Sequence, residues 1–88
     1  MPKFWNETEA YTRERGFDMM VSFDSSNREQ YVGIATTGTP INEAKWSIYK
    51  LEYSATTGGV SKKRYADGTD DFTKIWESRE GYTYLNIT

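Results

Sequence analysis

The chain reads as an α+β domain dominated by antiparallel strands, a small barrel or sandwich with one short helix near residues 70–80 and a second near 7–15. Three observations lead there. Apolar and polar residues alternate through Trp46–Tyr53 and again through Tyr82–Ile87, the period of a strand. Short apolar runs are separated by turn-forming stretches at Asp24–Asn27, Ser54–Gly59 and Ala66–Asp71. Seven tyrosines, four phenylalanines and three tryptophans outnumber the ten Leu, Ile and Val together, and such rings suit half-buried pleated faces. A length of 88 residues predicts one domain able to bury roughly 60–65% of its unfolded surface. The expected division is an N-terminal arm, 1–16, followed by the β-rich domain, 17–88.

In the arm, Asn6 with Glu9 forms a capping-box pattern, and Trp5 with Ala10 stands at staple spacing. That predicts a short helix from Glu7 to about Arg15, stopped by Gly16. Its apolar face holds little beyond Ala10 and Tyr11, and helices shorter than about 12 residues are marginal in water. Phe4, Trp5 and Tyr11 are therefore the candidate partner-binding residues, anchoring the arm on its own domain or on a neighbouring subunit.

Phe17–Phe23 is apolar and bounded by Gly16 and Asp24–Asn27, which predicts the first strand of the domain. A second lies within Arg28–Ala35, where Gly33 marks a bulge or a close backbone approach. Thr36–Ala44 is a loop dense in small residues, with Pro40 fixing one φ. Trp46–Tyr53 is the predicted central strand; its alternation changes phase between Ile48 and Tyr49, as a bulge or a strand apolar on both faces requires. Ser54–Gly59 can reverse the chain into Val60–Tyr65 as a hairpin partner. Phe72, Ile75 and Trp76, at i, i+3, i+4, predict one side of a helix over about Asp70–Glu80, capped by Thr69 or Asp71 and left through Gly81. Tyr82–Ile87 is the predicted closing strand. Trp46 and Trp76 are the expected core residues.

The chain has no cysteine and no histidine. That removes thiolate and imidazole nucleophiles, the zinc, haem and iron–sulfur sites built on them, and any disulfide. No apolar run approaches the roughly 20 residues that span a bilayer, and Met1–Gly16 lacks the apolar segment of a secretory signal. The expectation is a cytoplasmic product with no cofactor, no metal and no small-molecule substrate. Asn6-Glu-Thr8 and Asn86-Ile-Thr88 match the glycosylation pattern by accident on that reading.

Three further motifs carry chemistry in principle. Lys62-Lys63-Arg64 beside Tyr65 has the composition of a nucleic-acid patch, but alternation along a strand would send Lys63 to the face opposite Lys62 and Arg64. With a net charge of −2, a solvated edge that blunts aggregation is the better reading. Asp67, Asp70 and Asp71 offer oxygens of the kind calcium prefers, yet Phe72 and Ser78 stand where an EF-hand loop needs Gly and Glu. Glu77 and Glu80 could supply acid and base groups, but nothing nearby suggests an apolar pocket that would part their pKa values. No enzyme is predicted.

From about residue 30 to 84 the order of marked residues is Tyr31-Val-Gly-Ile-Ala35, Lys45-Trp-Ser-Ile-Tyr-Lys50, Tyr53, Ala66-Asp-Gly68, Phe72, Ile75-Trp76, Arg79 and Tyr84. This succession resembles short proteins encoded among the structural genes of tailed bacteriophages. The resemblance implies a non-catalytic virion component, a capsid decoration or a neck or tail protein. Its partners would be larger virion proteins, and its location the virion and, during assembly, the host cytoplasm. Two other readings are a host-directed inhibitor that binds a protein through its aromatic face, and a weak nucleic-acid binder.

Overall fold

The structure is a computed structural model, which describes residues 9–14 and 16–86. Among these, the strands are β1 (Glu9–Glu14), β2 (Phe17–Phe23), β3 (Glu29–Thr36), β4 (Ala44–Tyr53), β5 (Val60–Ala66), β6 (Lys74–Ile75) and β7 (Tyr84–Leu85), with a 3₁₀ helix over Trp76–Gly81. β1 to β5 run as an antiparallel meander and β7 adds to β5, while β6 pairs with the start of β4 off this path. The sheet stays open, so the expected barrel is not formed. Its last strand offers only two residues, too short a seam to close on β1.

The predicted helix over Glu7–Arg15 is a strand where it is described. Glu9–Glu14 pairs residue for residue with β2, from Glu9 opposite Ser22 to Glu14 opposite Phe17. The thin helical face explains the outcome: as a strand, Glu9, Tyr11 and Arg13 all point to one side and find partners there. Glu9 bonds to Arg79 and Trp76 instead of closing a capping box. Gly16 does reverse the chain, at φ +84°. Phe4, Trp5 and Asn6 lie outside the described residues, as does Ile87.

The predicted α-helix near 70–80 is a six-residue 3₁₀ helix that begins only at Trp76. Neither Thr69 nor Asp71 caps it; Ile75 stands at the N-cap with no side-chain bond, and Thr69 Oγ1 accepts from the Asp71 amide instead. Phe72 is half-exposed rather than part of a helical apolar face. Upstream, Asp67 (φ +55°) and Gly68 (φ +72°) form a type I′ turn closed by the Thr69 amide on the Ala66 carbonyl.

β4 organises the sheet, pairing with β3, β5 and β6. Its register against β3 runs unbroken from Tyr31–Lys50 to Ile34–Ser47, so no bulge sits at Ile48/Tyr49. The phase change marks a strand with apolar groups on both faces, Trp46 and Ile48 on one, Tyr49 and Leu51 on the other. On the first face Trp46 and Trp76 pack with ring centroids 6.2 Å apart, joined by Met20, Tyr31, Ala35, Ile48 and Ala66. Both indoles are at most 1% exposed, as the sequence predicted.

Gly33 is the close approach, not the bulge. A Cβ there would lie 2.5 Å from Trp76 Cε3 and 3.2 Å from Trp46 Cε3. Gly33→Ala is therefore expected to destabilise by about 1–3 kcal/mol through overpacking. Thermal unfolding would show it, and combining the change with Trp76→Leu should cost less than the sum of the two single changes.

Candidate interaction surfaces

Strand register sorts the side chains into two faces. On the core face, Tyr11, Met20, Gly33 and Ile48 lie in one row across β1 to β4, and Arg13, Asp18 and Ala35 in the next. The loop 37–43, the 3₁₀ helix and the segment leading to β7 all pack on this side. Ile41, Tyr82 and Tyr84 pack against the core cluster, Tyr84 lies 5.4 Å from Tyr31, and the Trp46 indole donates to the Pro40 carbonyl at 2.9 Å. Burial pushes the Tyr84 hydroxyl well above its ordinary pKa.

The opposite, outer face carries the alternate residues of each strand. A single row of apolar residues spans it from edge to edge: Ala10, Val21, Val32, Tyr49, Tyr65 and Leu85, each opposite the next on the neighbouring strand. At about 4.8 Å per strand the row is about 24 Å long. Beside it Met19 stands opposite Ile34. Val21 and Val32 at its middle are buried, while Phe17, Met19, Val60 and Leu85 are 37–56% exposed. On this face Lys63 holds its Nζ 4.2 Å from the Tyr49 centroid and 5.3 Å from that of Tyr65.

The basic triplet divides as strand alternation predicted. Lys63 covers the two tyrosines, whereas Arg64 faces the other way and pairs with Glu52 at 3.5 Å. Lys62→Ala with Arg64→Ala is accordingly expected to change stability by less than about 1 kcal/mol, because partly exposed ion pairs contribute little. A chemical denaturation midpoint checks it. The same variant should match wild type in showing no retention on single-stranded DNA at physiological salt.

A second surface feature is a groove of about 380 Å³ where β1 and β2 meet the loop after β3. Tyr11, Arg13, Asp18, Met20, Pro40 and Ile41 line it. At its base Asp18 is 3% exposed and accepts four hydrogen bonds: from Tyr11 Oη (2.9 Å), Arg13 Nε (2.8 Å) and Nη2 (3.5 Å), and the Gly38 amide (2.9 Å). Arg13 holds the Asp18 carboxyl below the usual carboxylate range, helped by the Gly38 amide and Tyr11 and opposed by burial. Asp18 was hidden in the sequence inside an apolar run. The signal that could have found it is its place two residues before the inward-facing Met20.

At the other end of β1, Glu9 accepts from Arg79 Nη2 at 3.0 Å and from the Trp76 indole at 3.3 Å. The Arg79 guanidinium lies over the Trp76 ring, 4.6 Å from its centroid. Glu9 and Arg79 are each only 11% exposed in their side chains. The described half of the expected arm is thus bound to its own sheet at both ends. Tyr11, the candidate contact residue, engages Asp18, and Phe4 and Trp5 lie outside the described residues. None of the other acidic or basic motifs is brought into this groove.

No described helix is long and apolar enough to cross a membrane. The chain matches no protein-family model, no curated protein and no solved structure.

Proposed function

We propose that this chain is a non-catalytic structural component of a tailed-bacteriophage particle, a capsid decoration or a neck or tail protein, that docks on a larger virion subunit. The observation that carries the reading is the apolar row from Ala10 to Leu85, flanked by exposed Phe17 and Met19. Val21 and Val32 at its middle are buried, and the exposed apolar groups around them, Phe17, Met19 and Leu85, are of the kind that mark interaction sites on small proteins. Tyrosines with cations folded onto them, Lys63 on Tyr49 and Tyr65 and Arg28 on Tyr53, suit a protein partner better than a polyanion, which would need cations held free of the rings. The resemblance to phage structural proteins adds the context. Its marked residues fall on the framework: Gly33, Trp46 and Trp76 in the core, Asp67 and Gly68 in a turn, and Arg79 over Trp76.

Mass spectrometry of purified particles is the direct test, with the chain expected in stoichiometric amounts. The double variant Phe17→Asp, Met19→Asp should fold with a melting temperature close to wild type, since both side chains point outward, and yet be lost from particles. A chain confined to the soluble lysate, with particles complete without it, would replace this reading by that of a host-directed inhibitor.

A further inference from the structure

On the core face a further row lies beside the one through Gly33 and Ile48: Glu9, Ser22, Tyr31, Lys50 and Arg64, each opposite the next on the neighbouring strand. The two ends of this row differ in charge balance. At the β1 end Glu9 is matched by Arg79. At the β5 end Lys50 stands directly opposite Arg64, and like charges facing each other across a strand pair are destabilising. Glu52 and Lys62 form the next pair on this face, yet Glu52 turns to Arg64, 3.5 Å from its Nε. Lys62 is left exposed, with no ion pair among the described residues. Lys50 leans on the Tyr31 ring, 5.7 Å from its centroid, and likewise has no carboxylate partner among them. Arg64 Nε is shielded from water and donates to no acceptor, Glu52 included.

Three cations thus share one carboxylate, in a chain whose net charge is −2. Directly opposite side chains have Cβ atoms about 4.5–5.5 Å apart and diagonal ones about 7–8 Å, so Lys50, Lys62 and Arg64 lie within one short span. Residues two apart in an extended segment are separated by roughly 7 Å and present their side chains to the same side. Carboxylates at such positions reach the Lys50–Arg64 pair and Lys62 together, and neutralise the like charges. Cations so few, with Glu52 among them, do not track a phosphate backbone.

We infer that Lys50, Lys62 and Arg64 form a docking site for an acidic segment of a partner protein, one that carries carboxylates two positions apart. Arg64 offers the planar fork that fits a carboxylate, and the two lysines act as point charges. The site lies on the opposite side of the sheet from the apolar row, so it stands or falls apart from the reading of the chain as a particle component.

The test titrates the full chain into a labelled, capped peptide that alternates glutamate with serine, beside its glutamine counterpart and a labelled oligothymidylate. Fluorescence anisotropy should show the glutamate peptide binding about tenfold more tightly than the glutamine one, and losing affinity as salt is raised. Lys62→Ala with Arg64→Ala, the pair expected to leave stability nearly unchanged, should weaken that binding about tenfold. Should this double variant fail to fold, Lys62→Gln, at an exposed position, tests the same contact with a smaller loss. Lys63→Ala removes an equal charge from the other face and should leave the affinity within about twofold. Oligothymidylate should bind more weakly than the glutamate peptide at physiological salt. Equal affinity for the two peptides, an equal loss from Lys63→Ala, tighter binding of the DNA, or absence of binding at millimolar peptide would each overturn the inference.

Discussion

Trp76→Ala is expected to remove about 3–5 kcal/mol of stability, a large share of what a domain of this size possesses. The indole is fully buried, packs on Trp46, fills the space that Gly33 leaves, and carries the Arg79 guanidinium on its face. Removing it leaves a cavity bounded by backbone at Gly33, which cannot collapse without bending the middle of β3. It also takes one donor from Glu9, loosening the tie between β1 and the 3₁₀ helix. At roughly 4–8 °C per kcal/mol, the melting temperature should fall by at least about 12 °C, measurable by circular dichroism. Phe72→Ala, four residues upstream and half-exposed, is the control and should shift it little. Equal effects from the two changes would refute the core described above.

That contrast shows what the sequence could and could not disclose. The strands at Phe17–Phe23, Glu29–Thr36, Ala44–Tyr53 and Val60–Ala66 were legible because period-two alternation, aromatic content and intervening turn residues all agree there. Trp76 was legible as core, but for the wrong reason. The spacing of Phe72, Ile75 and Trp76 fits a helix, whereas Ile75 belongs to β6 and Trp76 opens a 3₁₀ turn, so their common face is not helical. Local spacing carries no information about the strand edge of β4 that captures Lys74 and Ile75.

β1 was illegible for a similar reason. Its conformation is set by partners outside the strand, Asp18 across the hairpin and Arg79 on the last helical turn, while Glu9 with Asn6 satisfies a capping pattern in the sequence equally well. The outer apolar row could not be read from any one strand. It emerges only when five registers bring single residues such as Val21, Val32 and Tyr49 side by side.

Asp18→Ala should cost roughly 2–3 kcal/mol, more than an exposed ion pair would, because the carboxylate is buried and its removal strands inward-facing donors. Tyr11 and Gly38 lose the acceptor that ties β1 and the loop after β3 to β2. The half-exposed Arg13 can turn to water and suffers least. The pH dependence separates the charge from the packing. Because the folded-state carboxyl titrates below its ordinary value, its contribution is fully present above the unfolded carboxylate pKa of about 3.9 and is lost as pH falls through the folded value. Wild-type stability should therefore decline below about pH 4. Asp24, held low chiefly by the Arg28 amide, adds to the same slope and persists in the variant. The difference between wild type and Asp18→Asn, followed by urea denaturation from neutral pH into acid, isolates the Asp18 share: the variant starts less stable at neutral pH and loses less on acidification. Parallel curves down to low pH would mean that Asp18 acts through packing and not through its charge, and the clasp joining β1 to the loop would then hold equally well with a neutral amide at its centre.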